Sequence, residues 1–120
     1  MVNGNFELRH PIAGIEEKIT IIPNEGSIWY ITHLKDVVPT IPKDRLNRGY
    51  EALNKLNADF ATEGAYFIEI NGNNSGTLCY KFIVDKILQE PPRGEIFLTV
   101  KEICETIEAN LEELLKYLRD

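Results

Sequence analysis

The strongest constraint on this chain is its last quarter, where Val100, Ile103, Cys104, Ile107, Leu111, Leu114, Leu115 and Leu118 recur at helical spacing. That spacing gathers the apolar side chains on one side of a single helix and sends the residues between them to the other. A stripe this long needs an apolar surface of similar length to lie on. Thr99 and Glu102 match the Thr-x-x-Glu capping box, which predicts the helix start at that point. The outer face carries Glu102, Glu105, Glu108, Glu112 and Glu113, followed by Lys116 and Arg119. This charge order suits the helix dipole, and Glu112 and Lys116 form a favourable i,i+4 pair.

Alternating segments earlier in the chain supply the surface. Phe6-Glu7-Leu8-Arg9 reads as a short strand stopped by His10-Pro11, because proline cannot extend a hydrogen-bond ladder. Ile15 to Ile22 and Ile28 to Leu34 flank Pro23-Asn24-Glu25-Gly26 and predict an antiparallel hairpin. Val37-Val38-Pro39-Thr40-Ile41-Pro42 is apolar but broken by two prolines, so it is expected to cross the surface as stiff extended backbone. From about Lys43 to Asn57, Leu46, Tyr50, Leu53 and Leu56 share one helical face. Gly49 beside them costs about 1 kcal/mol relative to alanine unless close packing uses the missing side chain. Ala65 to Asn71 and Leu78 to Val84, reaching as far as Leu88, predict a second hairpin across Asn71–Gly76. Glu90-Pro91-Pro92-Arg93-Gly94 then reads as a turn into a third strand, Ile96-Phe97-Leu98.

Hairpin, helix, three-stranded meander and long C-terminal helix describe an α+β fold. Its sheet is mainly antiparallel, with both helices on one face. The other sheet face stays open. Trp29, Ile31, Phe67, Cys79, Ile83 and Phe97 fall on that phase, together with His33, Glu69, Lys81 and Thr99.

A chain of 120 residues with 43% hydrophobic and 27% charged residues can build a core without staples, and is read as one domain over residues 1–120. No internal repeat or linker divides it. No apolar run approaches a membrane span, and Met1–Asn5 lacks the features of a signal peptide, so a cytoplasmic protein without membrane association is expected. Thirteen Lys and Arg against 19 Asp and Glu give a net charge of -6, which argues against direct binding of nucleic acid and suits a basic protein partner. Charge is unevenly spread: residues 101–120 hold six acids and three bases, and Lys43–Asn57 holds four bases and two acids.

Motifs for chemistry are sparse. Cys79 and Cys104 form no Cys-x-x-Cys pair and read as small core residues; a disulfide between them is conceivable only if the last helix covers the strand of Cys79. The loop Asn71–Gly76 lacks the Lys-[Ser/Thr] of a phosphate loop and joins strand to strand. His10 and His33 are the candidate general bases, with Asp36 near His33 in sequence, but no nucleophile motif supports either. Glu69 is expected to pair with Lys81 across the hairpin or to face a pocket. The sequence therefore yields no catalytic residue, no metal ligand set and no cofactor.

The reading is a non-enzymatic protein-binding module: an inhibitor, immunity or anti-defence protein, or a chaperone-like adaptor. Partner contacts are assigned to Trp29, Val38 and Ile41 as an exposed apolar patch and to Glu105, Glu108, Glu112 and Glu113 as an acidic one. A second copy of the chain would cover the open sheet face equally well. The alternative is a small-ligand sensor with a pocket between sheet and first helix, lined by Tyr50, Tyr66 and Tyr80.

Overall fold

Phe6–Ile12 (β1), Ile15–Asn24 (β2) and Ser27–His33 (β3) form an antiparallel meander; a 3-10 turn, Lys43–Arg45, then leads into helix α1, Leu46–Asp59. Gly64–Ile70 (β4) and Gly76–Asp85 (β5) form a hairpin, and helix α2, Arg93–Arg119, closes the order. The structure is a computed structural model that describes residues 4–59, 64–85 and 91–119. The proposed continuation of the second hairpin to Leu88 lies outside the described residues.

The strands form one five-stranded sheet in the order β1-β2-β3-β5-β4, antiparallel throughout. Strand alternation decides the inner face: Leu8, Ile19, Ile21, Ile28, Tyr30, Leu78, Tyr80, Tyr66 and Ile68 share one phase. That phase packs with Leu53 and Leu56 of α1 and with Ile96, Val100, Ile103, Cys104, Ile107 and Leu114 of α2 in one core. Each fully buried side chain of this kind contributes about 1.5–3 kcal/mol. The α+β class and the placement of both helices on one face are as expected. At 27 residues, α2 is about 40 Å long and sets the 45 Å longest dimension of the molecule.

The meander stands at the other end of the chain from the expected one. Ile96-Phe97-Leu98 is helix, not strand, and the helix begins at Arg93, with the Glu95 and Ile96 amides donating to the Pro92 carbonyl. Ile96 and Val100 extend the buried stripe by one turn, whereas Phe97 and Leu98 stay 49% and 57% exposed. Thr99 consequently lies inside the helix and its hydroxyl donates to the Glu95 carbonyl at 3.1 Å, so it caps nothing. At the other end, β1 runs through Pro11 to Ile12. As an edge strand it has one neighbour, and the missing proline amide costs no ladder bond there. Ala13 and Gly14, both at positive φ, complete the tight turn into β2 that the sequence reading missed.

Val38 and Ile41 do not form an exposed patch. They are 2% and 4% exposed. Ile41 both donates to and accepts from the backbone of Gly76 at 2.8 Å, so it continues the β5 ladder between its two flanking prolines. Proline restrains its own amide, not that of a neighbour, and this segment turns its apolar residues inward. Close packing also explains Gly49, where an added methyl would sit 3.1 Å from both Ile41 Cδ1 and Ile68 Cδ1.

Gly94 distinguishes the helix from the expected turn. A methyl there meets nothing within 4 Å, so Gly94→Ala should stabilise the protein by about 0.5 kcal/mol, seen as a higher denaturant midpoint with unchanged slope. A lower midpoint would place Gly94 in the turn instead.

Candidate functional site

The uncovered sheet face has an apolar band and a polar end. Register aligns Ile22, Trp29 and Ile83 across β2, β3 and β5, with Ile31 beside Lys81 in the next row. The row beyond holds His33, Cys79 and Phe67 across β3, β5 and β4. All these apolar side chains but Cys79 are half-buried although α1 and α2 pack on the opposite face; Cys79 is fully buried between His33 and Phe67. Lys81 places its ammonium 5.6 Å from the centre of the Trp29 ring. It is therefore not the partner of Glu69: β4 pairs Lys81 with Ala65 and Glu69 with Thr77. Phe97 and Thr99, expected on this face, belong to α2.

At the polar end, a cleft of about 620 Å³ is lined by Arg9, Lys18, Lys35, His33, Glu17, Asp36, Glu69, Asn71 and Thr77. His33 Nε2 lies 3.0 Å from Glu69 Oε2. The carboxylate beside His33 is thus Glu69, and not Asp36, its neighbour in sequence. It is half-exposed, so the contact itself adds little stability. His33, Glu69 and Cys79 bring their donor atoms within 4.8 Å of one another, the one grouping of metal-ligating side chains found among the described residues. Burial, reinforced by the Glu69 charge, pushes the Cys79 thiol up to about 12. That is the reverse of the electropositive setting that activates a nucleophilic cysteine.

Asp36 turns instead to Glu17. Glu17 is 1% exposed, and its Oε2 is the one buried side-chain polar atom without a hydrogen-bond partner among the described residues. Burial is the main reason its pKa rises from 4.5 to about 7; a hydrogen bond to the Asp36 side chain and repulsion from its charge add to the rise. The Asp36 backbone and the Lys35 charge oppose it. No sequence signal marks this pair, because Glu17 lies in the exposed-looking run Glu16-Glu17-Lys18.

Other assigned residues fall elsewhere. Trp29 lies on the open sheet face, but Glu105, Glu108, Glu112 and Glu113 are exposed on α2, whose apolar side faces the opposite sheet surface. The apolar and acidic patches therefore point away from each other. Tyr66 and Tyr80 are buried against each other with ring centres 4.8 Å apart, and the Asn110 amide donates to the Tyr66 hydroxyl at 2.9 Å. They fill the space expected for a ligand pocket, while Tyr50 is 43% exposed. The Asn71–Gly76 loop satisfies its polar groups internally: Asn71 donates to the Ser75 and Thr77 hydroxyls, and Asn73 accepts from the Ser75 amide. Cys79 and Cys104 are free thiols on opposite sides of the sheet, which separates them. Among the described residues no helix is long and apolar enough to cross a membrane.

No protein-family model matches the chain, and a comparison with curated proteins finds no match either. Among solved structures it is similar to YbjN of E. coli, a proposed transcription regulator, with a TM-score of 0.58 and 16% identity. The match covers 89% of this chain and 74% of YbjN. At that identity the likeness shows the fold.

The raised Glu17 pKa has a definite sign. Between pH 4.5 and about 7 the native carboxyl keeps a proton that the unfolded chain has released, so stability is complete below this window, falls across it and stays reduced above it. The loss is on the order of 3 kcal/mol. Glu17→Gln should abolish this part of the pH dependence and melt above the parent protein at alkaline pH. Parallel melting curves against pH for the two proteins would refute the assignment.

Proposed function

We propose that the chain is a non-enzymatic protein-binding adaptor whose partner docks on the open sheet face, with Trp29 as the central anchor. The observation that carries this reading is the band formed by Ile22, Trp29, Ile83, Ile31 and Phe67 on a surface that neither helix covers. An apolar centre containing Trp, with Lys81, Lys18 and Glu7 around it, is the composition of an interface core and rim. The net charge of -6 favours a basic partner. It also suits regulation by protein contact better than by gripping DNA, should the chain share the role proposed for YbjN. Inhibitor, immunity, anti-defence and chaperone-like roles are the specific forms this reading takes.

A small-ligand sensor is the second reading. The polar cleft favours it, since that cleft, not the tyrosine cluster, offers space and convergent charge. Metabolites or nucleotides that raise the melting temperature, with no effect of Trp29→Ala on any association, would favour the sensor.

Affinity capture with the intact protein tests docking. Trp29→Ala should weaken retention of the captured protein by about thirtyfold or more, as expected for an interface hot spot, while Tyr50→Ala leaves it unchanged. Equal retention by both variants would remove the sheet face from the interface. Sedimentation distinguishes a foreign partner from a second copy of the chain, which would appear as a dimer lost in Trp29→Ala.

Reversing two of Glu105, Glu108, Glu112 and Glu113 to lysine should slow association at low ionic strength only. The acids sit on the far layer, beyond the screening length of about 8 Å at physiological salt. A slower on-rate that persists at high salt would put the partner on α2.

A further inference from the structure

We propose that His33, Glu69 and Cys79 form a binding site for one divalent metal ion of the zinc class, with a coordination position left open to solvent on the sheet face. The donors are an imidazole nitrogen, a carboxylate oxygen and a sulfur, the three ligand types zinc takes from proteins. The sulfur turns selection away from magnesium and calcium, which take oxygen ligands.

Geometry supports the assignment. Zinc bonds of about 2.0–2.3 Å in tetrahedral directions leave neighbouring donors roughly 3.3–3.8 Å apart. Here the three donor atoms lie within 4.8 Å of one another and His33 Nε2 is 3.0 Å from Glu69 Oε2. The widest separation therefore exceeds the bonded one by about an ångström, a gap for side-chain rotation to close. That backbone is stiff: the ligands stand on β3, β5 and β4, which are hydrogen-bonded neighbours, and His33 and Cys79 are direct Cα partners.

The layering gives the site its open side. Cys79 forms a fully buried floor, and His33 and Glu69 form a half-exposed roof over it. An ion between them meets protein on the sheet side and water on the other, the pattern of three protein ligands plus an exchangeable one. Charge does not forbid entry. The cations Arg9, Lys18 and Lys35 around the cleft face the carboxylates of Asp36 and Glu69, and Lys18 is already paired with Glu7 at 3.2 Å. As the metal–sulfur bond forms, the Cys79 thiol gives its proton to solvent and the His33–Glu69 contact is replaced by two metal–ligand bonds. This site does not depend on whether a protein docks on the same face.

Cobalt(II) and zinc(II) titrations of the full chain test the proposal. Cobalt should bind one ion per chain and produce the near-ultraviolet absorption of a cobalt–thiolate bond. Cys79→Ser should abolish that absorption and Cys104→Ser should keep it. His33→Ala and Glu69→Gln, substitutions at half-exposed positions that leave the core intact, should each weaken zinc binding at least about tenfold in competition with a chromogenic chelator. No thiolate absorption in the parent protein would overturn the site, as would absorption that follows Cys104 or zinc affinity unchanged in both His33→Ala and Glu69→Gln. If Cys79→Ser fails to fold, the His33 and Glu69 variants decide alone.

Discussion

A helix has one apolar stripe and a sheet has two faces, and the structure follows from that mismatch. α2 lays Val100, Ile103, Cys104, Ile107 and Leu114 along the inner phase of the strands, and α1 adds Leu53 and Leu56 beside it. No third helix is available among the described elements, so the outer phase is left to water. That asymmetry separates Cys79 from Cys104. It places Trp29 and the α2 glutamates on opposite sides, and turns an ordinary antiparallel sheet into a presented surface.

Periodicity made the faces legible. Trp29, Ile31, His33, Phe67, Glu69, Cys79, Lys81 and Ile83 share one outward phase by simple alternation, and the structure keeps all of them there. Alternation does not say which strands are neighbours. The β4–β5 pairing follows from a short loop, but β3 meets β5 across more than forty residues of sequence. That long-range pairing sets His33 beside Cys79 and within reach of Glu69, so Glu69 faces the cleft, the second of its two expected placements, instead of pairing with Lys81.

The errors of element type have equally local causes. Ile96-Phe97-Leu98 is too short for its period to be measured, and a capping-box match at Thr99 drew the helix boundary past it. Pro91-Pro92 was the better boundary: a proline pair ends a ladder and fits a helix entrance, and the Pro92 carbonyl takes the first helical bonds. Val38 and Ile41 show the complementary error. Two prolines implied a surface crossing, yet both Ile41 backbone groups remained free to pair with Gly76.

One end of the sheet breaks more of the ordinary rules than any other part of the described structure. Glu17 is buried with an oxygen unpartnered and a second carboxyl beside it, at a cost to stability in neutral solution that an apolar residue would avoid. Around the same cleft, an imidazole and a carboxylate converge with a buried thiol on the other face. A chain selected for folding alone has no reason to keep both features, since the core needs neither and Tyr66, Tyr80 and Ile107 already fill it. Sequences depart from local consistency mainly where a surface has work to perform. The polar end of the sheet, more than the acidic outer face of α2, is where substitutions should separate function from stability.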